Sequence, residues 1–225
     1  MNVKNMLKLG VILAAFAAAA CVMLAFVYTG TAGIIAKRAS DDQQAALKEV
    51  FPGADSFREV SGVAIPDGTA TILNAFEAVA NNETAGLALE LSCAGYSGPL
   101  RLIAGVSAGG FITGVKILEH SDTPGLGANA ASPKYFVNKA EGTTFYGQFA
   151  GKQINDPFEV KNDVVAITAS TITSRAVTQA VKAAGIAASA WLAGNGGDGA
   201  VYREAIDATS SATARHTEKE RQNEK

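Results

Sequence analysis

The sequence predicts an α+β protein with a single N-terminal transmembrane helix, followed by one compact domain in which an antiparallel sheet packs against helices. Three observations predict it. No charged residue lies between Lys8 and Lys37, and Leu9 to Val27 is almost wholly apolar. From Phe57 to Leu118 the chain breaks into short apolar and β-branched runs with turn residues between them. One amphipathic helix then closes the domain, so strands are followed by helix without the regular alternation of a doubly wound parallel sheet.

The N-terminal run is long enough to cross ~30 Å of hydrocarbon, which takes about 20 helical residues. We read residues 1–8 as a short leading segment and 9–36 as a membrane anchor surrounded by lipid. A cleaved signal peptide is the alternative, since Lys4 and Lys8 make a basic start and Thr31 to Ala36 includes small residues, but the apolar run exceeds the usual ~7–15 residues of such a peptide. A lipid attached at Cys21 fits poorly, because apolar residues continue through Val22, Met23, Leu24 and Phe26. Lys4 and Lys8 on one side balance Lys37, Arg38 and Lys48 on the other, so charge does not orient the span.

The domain is expected over residues 40–207. Ser40 before Asp41 and Asp42 reads as a helix start, with Ala46, Leu47, Val50 and Phe51 as its apolar face and Pro52-Gly53 as its stop. Strands are expected around 70–73, 87–92, 100–107 and 111–118, the last two joined by a hairpin turn at Ala108-Gly109-Gly110. A Gly/Pro loop from His120 to Gly127, a short helical stretch near 129–139 and a buried strand at 164–167 follow. The final helix opens in Thr168 to Ser174, carries Val177, Val181, Ala184, Ala188 and Trp191 at three-and-four spacing, and ends near Gly194. Residues 208–225 are polar and without periodicity, as in a disordered tail.

Composition limits what this domain can do. A length of 225 residues fits one core plus extras, and a net charge of −2 provides no basic excess for nucleic acid. Cys21 and Cys93 are the only cysteines, in no metal-ligand spacing, so neither a disulfide framework nor a zinc site is expected. No metal ligands and no independently catalytic residues emerge. His120 has no nucleophile or metal partner in the pattern, and a hydrolase built on a clustered hydroxyl with Lys182 or His120 lacks a triad arrangement.

The most informative segment is TASTITS at 168–174, five hydroxyls in seven positions where a strand hands over to a helix N-terminus. Unpaired amides and the helix dipole make such a turn suited to a phosphate. Plain N-capping by Thr168 or Ser170 would account for some of the same residues.

TASTITSRAV resembles the SGATxTSxAV motif of the FMN-binding domain family, which is found in the G subunit of Rnf complexes and in the C subunit of sodium-pumping NADH:quinone reductases. Thr168, Ala169 and Ser170 stand where that motif has Ser, Gly and Ala. HSDTPGLG at 120–127 resembles the family's HxETPGLG, GYSGPL at 95–100 its GYxGPI, and FYGQFAGK at 145–152 its aromatic-Gln-Phe-x-Gly-Lys segment. The resemblance runs from about Ala45 to Trp191.

It implies FMN joined by a phosphoester to Thr171, attached by a flavin transferase that uses FAD. Thr168, Ser170, Thr173 and Ser174 would surround the phosphate, and Tyr96, His120, Asp122, Thr123, Pro124, Gly125, Leu126 and Gly127 would lie along the flavin. It further implies an electron-relay component of a ferredoxin:NAD oxidoreductase coupled to Na+ or H+ movement, a single-pass protein of the inner or plasma membrane with its domain on the extracytoplasmic side, and the D, A and E subunits of the Rnf complex as neighbours. The competing readings are the C subunit of the quinone reductase and an anchored scaffold without flavin.

Overall fold

The structure, a computed structural model, describes residues 3–65 and 68–195. The expected polar tail and the end of the expected domain range lie outside these residues. The chain divides into two compact units after Gln44. Helix α1 runs over Val3–Val50, and among the described residues it alone is long and apolar enough to cross a membrane. The separate helix start expected at Ser40 is not observed, because no proline interrupts the chain before Pro52 and the preceding turn already supplies helical carbonyls. The Pro52-Gly53 stop is where expected.

Five strands, β1 (Ser56–Val60), β2 (Thr71–Ala80), β3 (Glu83–Ala94), β4 (Pro99–Ser107) and β5 (Ile112–Glu119), form one antiparallel sheet in chain order. β1 is not among the expected strands, and β2 and β3 are longer than expected. The β4–β5 hairpin turns at Gly110, whose φ of 77° suits glycine. After a 3-10 helix at Gly127–Ala131 come the short strands β6 (Phe136–Asn138) and β7 (Thr143–Thr144), a 3-10 turn at Gly147–Phe149, and helix α2 (Thr171–Asn195). The expected helix at 129–139 is thus a 3-10 turn followed by β6.

Alternation along the strands assigns the two faces of the sheet. Leu87, Leu89 and Leu91 of β3 and Leu100, Leu102 and Val106 of β4 join Val177, Val181, Ala184 and Ala188 of α2 in the main core, closed by Phe145, Phe149, Phe158 and Ile167. On the opposite face Ala88 and Ile103 pack against Ala46, Leu47 and Val50, the last turns of α1. That face is lined by glycine: a Cβ on Gly105 would collide with Thr113 Oγ1 and come within 2.7 Å of Val50, and one on Gly114 would lie 3.1 Å from the Val50 carbonyl. Beside it, buried Glu90 accepts from Arg101 at 2.7 Å and from Asn74 at 2.8 Å.

Candidate functional site

The segment entering α2 is held by side chains rather than by a strand ladder. Val165 N–H donates to Gln148 Oε1 at 2.8 Å, and Gln148 Nε2 donates back to the Val165 carbonyl at 3.1 Å and to the Phe145 carbonyl at 2.9 Å. The strand expected at 164–167 is therefore only an isolated bridge between Val160 and Val164, because one glutamine supplies the pairing a neighbouring strand would give. Asp163 anchors the preceding loop, accepting from Glu159 N–H (2.6 Å), Phe158 N–H (3.1 Å) and the Lys152 ammonium (3.0 Å). Partial burial works to raise the Asp163 carboxyl, but these donors outweigh it and hold the group below the usual carboxylate range. The FYGQFAGK segment thus works as a brace: its phenylalanines fill the core, and its Gln148 and Lys152 tie down the approach to Thr171.

At the turn itself Ala169 adopts a positive φ of 59°, and Ser170 N–H bonds the Ile167 carbonyl at 3.1 Å. Ser174 lies beneath the turn, fully buried; its hydroxyl donates to the Ser170 carbonyl at 2.9 Å and accepts from Ile167 N–H at 3.0 Å. Thr173 is equally buried, and its hydroxyl donates to Asp122 Oδ2 at 2.6 Å. Both hydroxyls expected to face a phosphate are thus already engaged within the protein. Thr171 is the first residue of α2 and is exposed. Among the described residues no hydrogen bond uses the amides of Thr171, Ile172 or Thr173, the donors that a helix start leaves without internal acceptors.

These residues border a cleft of about 380 Å³, within the ~300–1,000 Å³ typical of small-molecule sites. Tyr96 forms one wall, Asp122, Thr123, Leu126 and Gly127 a second, and Ala169, Ser170, Thr171, Ile172 and Thr173 the third. Tyr96, Leu126 and Ile172 leave large apolar surfaces exposed, 70%, 43% and 56% respectively. Three motifs far apart in sequence therefore meet at Thr171, and they include Tyr96, Asp122, Thr123, Leu126, Gly127, Ser170, Thr171 and Thr173 of the expected set. Thr168, Ser174, His120, Pro124 and Gly125 are not among the residues that line the cleft; Thr168 N–H meets the Tyr135 hydroxyl at 3.4 Å, and Pro124 and Gly125 are exposed. Gln148 and Ile172 matter to the site without having been expected there. Gln148 sat in a motif whose type was legible, but its hydrogen-bond partner was not.

Among the described residues there is no group of three or more His, Cys, Asp or Glu placed to hold a metal. Cys93 is buried in the main core, and burial pushes its thiol up to about 11, leaving it unreactive near neutral pH.

The FMN-binding domain family matches residues 95–186, and the RnfG N-terminal region matches residues 1–50. The G subunit of the ion-translocating oxidoreductase complex of Methanosarcina acetivorans is 31% identical over 80% of this chain and 93% of its own length. The G subunit of the Na(+)-translocating ferredoxin:NAD(+) oxidoreductase complex of Acetobacterium woodii is 32% identical, over 79% of this chain and 89% of its own. Among solved structures, the Shewanella oneidensis NqrC chain aligns with a TM-score of 0.39 at 18% identity, covering 59% of this chain and 66% of that one.

Proposed function

We propose that this chain, which belongs to the G-subunit family of ion-translocating oxidoreductase complexes, is an electron-transfer component of a membrane-bound Rnf complex. In this reading it relays electrons between ferredoxin and NAD through an FMN esterified to Thr171. The observation that carries the reading is the Thr171 hydroxyl, exposed at the first position of α2 in a cleft with an apolar rim. The residues present fit the cofactor. The unengaged first-turn amides are donors for phosphate oxygens, Tyr96, Leu126 and Ile172 offer apolar surface to a planar ring, and Gly127 keeps the loop backbone close. Bound FMN supplies electron-transfer chemistry that no side chain offers; the chain contributes position, an apolar wall and a covalent hold.

During maturation Thr171 Oγ forms a bond to the FMN-side phosphorus of FAD. The pyrophosphate P–O bond breaks with AMP as leaving group, and the hydroxyl proton passes to a base of the flavin transferase. Thr173 and Ser174 act by fixing the turn rather than by touching the phosphate. The apolar run of α1 anchors the chain in lipid as a single span, with the domain on the extracytoplasmic side beside the D, A and E subunits. Peptide mass spectrometry on protein from a host with an active flavin transferase tests the proposal: the peptide containing Thr171 carries FMN, and Thr171→Ala carries none. An unmodified Thr171 in that host overturns the covalent reading.

A further inference from the structure

We infer that Asp122 is the positioning residue of the cleft, tying its three walls into one geometry and setting the presentation of Thr171 to the transferase. The inference rests on the function proposed above. Asp122 is 7% exposed, yet its carboxylate borders the cleft. Oδ1 accepts from Ser97 N–H at 2.8 Å, and Oδ2 accepts from the Thr173 hydroxyl at 2.6 Å. Ser97 follows Tyr96 inside the turn that Gly95 N–H closes on the Gly98 carbonyl at 2.9 Å. One side chain therefore holds the tyrosine wall and the first turn of α2 to its own loop.

The loop is shaped around this carboxylate. A Cβ on Gly127 would lie 2.6 Å from the Asp122 carboxyl carbon and collide with Oδ2, so the glycine is the residue that lets the loop close over the acid. Thr173 and Thr171 share one helical turn but point oppositely: Thr173 is anchored inward on Asp122, and Thr171 is outward and exposed. Removing the inward anchor frees the turn to rotate or fray, and the outward hydroxyl moves with it. A displacement of about 1 Å at a reacting group is enough to lower a transfer rate ~100-fold.

The test uses full-length protein in detergent with purified flavin transferase and FAD, reading the initial rate of FMN incorporation at Thr171 by mass spectrometry. Asp122→Ala and Thr173→Val each lower that rate at least tenfold while the melting transition stays cooperative. Asp122→Asn keeps the shape and can bond both partners, so it restores most of the rate. Arg58→Gln, which removes an exposed ion pair with Glu77 on the edge of the sheet, leaves the rate unchanged. Hydrogen exchange on the flavin-free protein supplies a readout independent of labelling: protection of the Ser97 amide, bonded to Asp122 Oδ1, and of the Ser174 amide, bonded to the Ser170 carbonyl, falls in Asp122→Ala alone among the Asp122 variants. Wild-type labelling rates and wild-type protection in Asp122→Ala overturn the inference. If the wild type takes up no FMN, the functional reading fails, and exchange alone decides whether Asp122 ties the walls.

Discussion

The two faces of the sheet are built from the same strands by different means. Toward α2, long side chains such as Leu87, Leu89, Leu91 and Leu102 set the spacing between layers. Toward the end of α1 the backbone comes close, with Gly105 and Gly114 against Val50, Ala88 and Ile103 as the buried sheet side chains, and Phe57, Phe76 and Leu118 at the margin. A layer held off by leucines leaves room at its margin, where loops and the helix start can enclose a cleft. A layer resting on glycines brings the helix end directly onto the sheet backbone, and the cleft around Thr171 opens beside the start of α2.

The widest test of this contrast is a cavity on one side against an added methyl on the other. Leu89→Ala should destabilise by about 2–5 kcal/mol in denaturant titration, since Leu89 is fully buried and its neighbours are fixed by strand and helix. Gly105→Ala should cost about 1–3 kcal/mol through overpacking, because the new methyl meets Thr113 Oγ1 and Val50. The two should also differ in kind, Gly105→Ala raising proteolysis near residue 50 at denaturant levels where the α2 side stays intact. A harmless Gly105→Ala would mean that the helix end is not seated on the sheet, and the contrast would break.

The same contrast explains what was legible in the sequence. Periodicity marked the leucine face well: alternating strands and the Val177, Val181, Ala184 stripe report side-chain volume directly. It could not mark the other face, where glycine reads as a turn signal wherever it falls. Glu90 between Leu89 and Leu91 has the pattern of a half-exposed strand, and only the register beside Arg101 makes its burial intelligible. Edge strand β1 escaped because its residues are mostly exposed and carry little alternation. At the site, the motifs marked the segments around Thr171 and its loop that the fold brings to one cleft, while the partners of Thr173, Ser174 and Gln148 depend on folds of chain that no local pattern encodes.

A smaller effect separates the polar ties. Asp163 has a folded pKa below its unfolded value of about 3.9. Its contribution is therefore fully present above that pH and is lost as pH falls through the folded pKa, where the protonated carboxyl can no longer accept all three donors. Thermal melts should show wild type losing stability between about pH 4 and its lower folded pKa more steeply than Asp163→Asn, which should itself be about 1–2 kcal/mol less stable at neutral pH. Parallel pH profiles for the two proteins would remove Asp163 as the lock on the approach to Thr171.

The smallest expected effect lies at the turn and has the opposite sign. Ala169 stands at φ 59°, a left-handed conformation that costs a side-chain-bearing residue about 1–2 kcal/mol and glycine essentially nothing. Glycine also has more freedom to lose from the unfolded chain, which offsets about 0.4–1 kcal/mol of that gain. Ala169→Gly should therefore stabilise the protein by about 0.5–1 kcal/mol, read as a higher denaturant midpoint at unchanged m-value. The turn is bounded by the Ser170 N–H to Ile167 carbonyl bond and by the Ser174 hydroxyl beneath it, so relief at residue 169 need not displace Thr171, and FMN incorporation should continue at the wild-type rate. A destabilised Ala169→Gly would show that the alanine side chain contributes packing that outweighs its backbone strain, whereas a stabilised variant with slower incorporation would show that the strained turn itself holds the acceptor hydroxyl in place.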